Sequence, residues 1–151
     1  MSRSGYTDDY LTEWQMICWR GAVTRAIKGK RGQVFLRELL AALDAMPEKA
    51  LISSQLRDEQ GDVCALGAAC AKKEVDPTAF DVEDEDHHDP LGRALGIAPA
   101  LVAEIEYVND DSDYRREQDP FNRYARVRKW VEQHIAPPSP AAGAPTTKGD
   151  R

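Results

Sequence analysis

The chain is poor in the residues from which most recognisable sites are built. Its 151 residues hold three cysteines, three histidines and three tryptophans. Cys18, Cys64 and Cys70 are odd in number and include no Cys-x-x-Cys pair, which argues against a disulfide framework or a zinc ribbon. Cys64 and Cys70 fall about 120° apart around a helix, a poor chelating geometry, and are read as small apolar core residues. No apolar run approaches the roughly 18 residues that span a bilayer, so no membrane segment is expected. Met1 to Gly5 lacks the apolar core of a signal peptide, and the expected compartment is the cytoplasm of a bacterial cell. Gly-x-Ser-x-Gly, His-Glu-x-x-His and glycine-rich nucleotide loops are all missing, and Gly29-Lys30-Arg31-Gly32 has neither the glycine spacing nor the ending of a Walker loop. Ser53 and Ser54 have no base at any suggestive spacing. The expectation is a non-enzymatic protein with no catalytic residue, no cofactor and no metal.

What the chain does have is charge, distributed unevenly. Met1 to Arg37 carries seven Lys/Arg against three Asp/Glu, a net of +4, whereas Glu38 to Arg151 carries a net of −10. Glu74 to Asp119 alone holds fifteen acids against three bases. A chain so polarised presents two opposite fields, which bear on partners rather than on fold.

Length and an apolar share of 42% suit one globular domain. Hydrophobic spacing predicts an all-α fold, a bundle of five or six helices over residues 7–135, between a flexible 1–6 and a disordered, proline-rich tail over 136–151. A first helix is expected over Thr7–Lys28, with Thr7 as cap and Tyr10, Trp14, Ile17, Cys18, Ala22 and Ile27 as its apolar stripe. Trp19 falls off that stripe and is read as partly buried, with exposure as a partner anchor the alternative. The four residues from Gly29 to Gly32 form the turn to a helix over Gln33–Met46, whose Phe35, Leu36, Leu39, Leu40, Leu43 and Met46 keep the spacing of a buried face. Ala50 to Leu56 reads as either extended chain or a helical turn. Asp62 is the expected cap of a small-residue helix over Val63–Lys72, which with Gln33–Met46 should be central. Asp89 caps a short helix from Pro90 to Leu95, closed by Gly96. Ala98–Val108 is followed by a turn at Asn109-Asp110. Asp119-Pro120 opens a last helix to about Ile135, with Phe121, Tyr124, Val127, Val131 and Ile135 inward and Arg123, Arg126, Arg128 and Lys129 on a basic outer face.

The run Val63-Cys64-Ala65-Leu66-Gly67-Ala68, followed downstream by Asn109-Asp110 and an amphipathic helix carrying Val127, Trp130 and Val131, resembles uncharacterised small proteins of phages and mobile elements that share a Cys-Ala-Leu-Gly helix motif. The resemblance covers roughly Val63 to Ile135. It implies a prophage or mobile-element setting and carries over no catalytic or binding residue.

Two surfaces stand out as candidates. Asp81, Glu83, Asp84, Glu85, Asp86 and Asp89, extended by Asp110, Asp111 and Asp113, form an acidic patch. Such a patch can imitate the phosphates of duplex DNA and occupy a basic groove on a partner protein, as in an inhibitor of a host defence system of the CRISPR or restriction kind. His87 and His88 lie within it, but adjacent histidines in a loop need a third ligand from elsewhere, and the remaining histidine is His134. The alternative surface is a basic helix–turn–helix hairpin for nucleic acid. Arg20, Arg25, Lys28, Lys30, Arg31 and Arg37 occur there without an intervening acid, with Thr24, Gln33 and Arg37 as the groups able to reach base edges.

Overall fold

Leucine spacing decides the centre of the molecule. In the computed structural model, which describes residues 13–110 and 119–138, the order of elements is α1 (Glu13–Lys28), α2 (Lys30–Ala45), α3 (Ala65–Lys72), a single 3-10 turn (Pro77–Ala79), α4 (His88–Leu95), α5 (Pro99–Asp110) and α6 (Pro120–His134). No strand occurs among the described residues; an isolated antiparallel bridge joins Arg57 to Val63. The fold is all-α. The expected features at 1–6, Thr7 and Tyr10, the residues Asp111 and Asp113, and the tail beyond 138 lie outside the described residues.

On α2, Phe35, Leu36, Leu39 and Leu43 are fully enclosed, as their spacing predicts. They meet α3, where Ala65, Leu66, Ala68 and Ala69 let the backbones approach, so both helices are central as expected. Gly67 is where the approach is closest: a Cβ there would stand 1.9 Å from the carbonyl oxygen of Leu56. Residues 50–56 are not helical: the segment bends over 53–56, with Ser54 at φ +66°, and lies against the start of α3, held by Ile52 N donating to Val63 O (3.0 Å) and Cys64 N to Leu56 O (3.2 Å). The innermost helix is α5, buried on nearly every side from Leu101 to Asn109.

Several boundaries differ from the sequence reading, each for a local reason. Gly29 alone separates α1 from α2, in place of a four-residue turn. Gly32 lies inside α2, where a Cβ would stand 1.8 Å from Ala26 O, so this glycine serves the crossing of the two helices. The cap of α3 is Cys64, whose Sγ accepts from Gly67 N at 3.4 Å, in place of Asp62. Likewise α4 begins at His88, not at Pro90, so Asp89 lies in its first turn and is not its cap. Gly96 closes α4 at φ +75°, in the left-handed region where glycine is favoured. Asn109 and Asp110 are the last turn of α5, not a loop. Asp119 caps α6 as expected, accepting from Phe121 N and Asn122 N.

The outer helices depart most from the expected stripes. On α1, Trp14 and Ile17 are 71% and 57% exposed and Cys18 is exposed; Val23 is the buried residue, and Trp19 is half-buried as expected. Phe121 of α6 is exposed, leaving Tyr124, Val127 and Val131 as the core face. Arg123 is buried, contrary to the basic face expected of α6. It donates to Leu51 O (2.9 Å) and Asn109 O (3.1 Å), and half-buried Arg126 donates to Val108 O and Asn109 O. Two guanidinium groups thus satisfy carbonyls at the C-terminus of α5, where cations are favoured. Burial, with Arg126 adding its charge, pulls the Arg123 pKa below its ordinary value.

Candidate functional site: an acidic loop clasped by buried histidines

Helices α4 and α5 form a tight antiparallel hairpin. Gly92 makes the closeness possible, since a Cβ there would lie 2.8 Å from Ile97 O. Eight residues run from His88 to Leu95 before the turn and eight from Pro99 to Glu106 after it. At 1.5 Å per residue each arm is about 12 Å long, so the start of α4 arrives beside Glu106. Glu104 and Glu106, two residues apart, point to different sides of α5. Glu104 faces Arg20 of α1 at 3.7 Å, and Glu106 faces α4.

Glu106 is completely buried, and both adjacent histidines close on it. His87 Nε2 lies 2.6 Å from Oε1, and His88 Nε2 lies 2.8 Å from Oε2. His87 is itself buried; the side chain of His88 keeps 16% exposure and opens the cluster to solvent on one edge. The other nitrogen of His87, Nδ1, lies 2.6 Å from the carbonyl oxygen of Asp84. A carbonyl only accepts, so Nδ1 carries a proton and donates it there. That bond fixes the ring and turns Nε2 toward the carboxylate. The third member of the histidine cluster is thus Glu106, not His134, which instead stacks on Trp130 with ring centroids 4.4 Å apart.

This clasp holds the acidic loop. Asp81 Oδ1 accepts from Glu83 N and Asp84 Oδ1 from Asp86 N, both at 3.0 Å, while Phe80 and Val82 pack against the core. Just upstream, Asp76 Oδ1 accepts from the Thr78 hydroxyl and amide, which holds its carboxyl below the usual range. Asp81, Glu83, Asp84, Glu85, Asp86 and Asp89 are all exposed on the outer side, and Asp89 pairs with Arg93 one turn on. Asp110 has a separate role: its half-buried carboxylate accepts from Ser54 N and Asn109 Nδ2, tying α5 to the segment 50–56.

The basic candidates are spread around the α1–α2 elbow. Arg25 and Lys28 are exposed in the last turn of α1, and Lys30 and Arg31 in the first turn of α2. Lys30 and Arg31 border a shallow groove of about 240 Å³ floored by Val34, Phe35 and Leu95, with Lys73 opposite. Gln33 and Arg37 are drawn into structure. The Gln33 amide donates to Ile27 O and His134 O and accepts from Ala136 N, so it is occupied as a tie between the elbow and α6; Arg37 reaches Ala136 O. Cys64 and Cys70 are buried, and burial pushes the Cys70 thiol up to about 12, so it stays protonated and unreactive at neutral pH. No protein-family model, no curated protein and no solved structure matches this chain.

Proposed function

We propose that this chain is a non-enzymatic binding protein that engages a cationic surface on a partner protein through the acidic loop 81–89. One observation carries the reading. Six carboxylates are crowded on the outside of a loop that is fixed from beneath by buried side chains. Like charges so close oppose folding, and the clasp holds them in place nonetheless. A fixed anionic surface meets a basic groove with little ordering cost and with fast, salt-sensitive association. The resemblance to small phage and mobile-element proteins supports a role as an accessory factor in a bacterial cytoplasm. There the partner would be a nucleic-acid enzyme, such as one of a host CRISPR or restriction defence, inhibited by occupation of its groove.

A second reading rests on a different feature. Lys30 and Arg31 sit at the positive end of α2, where no acid balances them, beside the groove they border. This placement favours phosphate contact at the elbow, with Arg25 and Lys28 around it; Arg20 is engaged by Glu104 and Arg37 by Ala136 O.

Affinity capture from a bacterial lysate, with and without nuclease, separates the two. Glu83 and Glu85 are the residues to reverse, because Asp84 also orders the loop. The acidic reading expects a stoichiometric protein that survives nuclease and is lost from Glu83→Lys/Glu85→Lys at unchanged helicity. Retention by the reversed variant sinks it. Capture that vanishes with nuclease and with Lys30→Ala/Arg31→Ala transfers the function to the elbow.

A further inference from the structure

We propose that His87, His88 and Glu106 form a binding site for one divalent transition-metal ion of the zinc class. The donor atoms of the three residues converge within 4.8 Å of one another. Two imidazole nitrogens and a carboxylate oxygen are a donor set that suits zinc and its neighbours, whereas calcium and magnesium take oxygen ligands. An acidic cluster alone would not specify such an ion; here the exposed acids stand apart from the donors, which lie beneath them.

The orientation of His87 is the more telling feature. A metal-binding histidine commonly donates its other ring N–H to a carbonyl or carboxylate, which fixes the tautomer and presents the remaining lone pair to the ion. His87 does so through Nδ1 and Asp84 O. Its Nε2 lone pair then faces the Glu106 carboxylate at 2.6 Å. Two electron-rich atoms at that distance need a cation between or beside them. A proton serves at the present spacing. An ion about 2.0 Å from each donor sets them about 3.3 Å apart in tetrahedral geometry, so binding opens the two short contacts by roughly half an ångström and draws together any donors now farther apart, within the 4.8 Å limit. The His88 ring is the partly exposed one of the pair and is therefore the one expected to move. Three protein ligands leave a position for water on the same edge. Glu83, Glu85, Asp86 and Asp89, exposed and within five residues of the two histidines, raise the local cation concentration.

Such an ion would join the loop to α5 at the open end of the hairpin, opposite its turn. The inference does not rest on the partner reading, because the ion is measured on the isolated chain. The test uses full-length protein stripped with chelator and desalted, titrated with Zn²⁺ by calorimetry and with Co²⁺ by visible absorption. The expected result is one equivalent bound, with cobalt bands of a low-coordinate nitrogen–oxygen site and no thiolate charge-transfer band. Because Glu106 lies in the core, His88→Ala at the half-exposed ring is the deciding variant. It should keep the parent far-ultraviolet spectrum and weaken binding about tenfold or more. Three results overturn the proposal: no equivalent bound, a thiolate band assigning the ion to cysteine, or unchanged affinity in His88→Ala.

Discussion

A methyl group does not fit at Gly67. The nearest atom to an added Cβ is the Leu56 carbonyl oxygen at 1.9 Å, followed by Leu56 C and Val63 Cβ, so no flexible side chain can yield. Gly67→Ala must push α3 away from the segment 50–56 and disturb the Cys64 N–Leu56 O bond. Overpacking against backbone of this kind costs about 3 kcal/mol. Gly61→Ala is the control: its φ of +87° is strained for alanine, but open space surrounds it, and the expected loss is about 1 kcal/mol. Urea unfolding of the two variants should show this order; equal losses would mean that α3 can slide freely. The sequence shows a run of small residues at this point and hence a close packing. It does not show what approaches, because Leu56 comes from a segment whose path is set by long-range hydrogen bonds. Glu106 was hidden for the same reason. Its position inside an apolar helical stretch is unusual for a carboxylate, and the equal spacing of His88 and Glu106 about Ile97 was a usable signal, but only once α4 was known to begin at His88 rather than Pro90.

Between elements, α2 and α6 are joined on the surface by Asp44 and Arg128. Arg128 Nε donates to Asp44 Oδ1 at 2.7 Å, and this hydrogen bond holds the Asp44 carboxyl below its ordinary 3.8. The same bond, with the Asp44 charge, raises the Arg128 pKa. A depressed folded pKa means that the unfolded chain takes up a proton first as pH falls. The pair's contribution is therefore present above pH 3.8 and lost as pH drops through the lower folded value. Asp44→Asn should be slightly less stable than the parent at neutral pH, with the difference closing in that acid window. Urea midpoints measured across pH would check it, and a gap independent of pH would place the effect outside the ion pair. Helix identity was legible wherever a stripe met a solid neighbour: the leucines of α2 and the Asp119-Pro120 start of α6 both behave as their pattern implies. The pattern failed where long side chains turn inward on polar business. Arg123 reads as solvent-facing by charge, yet it is the group that satisfies Leu51 O and Asn109 O inside the fold. Charge alone cannot report which carbonyls a helix end leaves to be satisfied.

Over the whole molecule, burial is graded rather than uniform. One continuous cluster of enclosed side chains runs from Phe35 on α2 through α3, α4 and α5 to Val131 on α6. Helix α1 touches this cluster from outside, through Ala26 and Ile27 at its C-terminal end, while Trp14, Ile17 and Cys18 face away. The charge asymmetry follows the same division, with the basic elbow at the end of α1 and the acidic loop beside α4. Local opening is least costly where few apolar contacts are broken. Native-state hydrogen exchange should therefore show the amides of residues 13–20 opening far more readily than those of Leu101 to Val108, whose protection should approach that of global unfolding. The elbow should hold the boundary, since Gly32 packs against Ala26 and Gln33 bonds both Ile27 O and His134 O. Uniform protection along α1 would show that its outward apolar face is covered in solution. Strong protection confined to residues 13–20 would point to the same face as a contact surface in its own right.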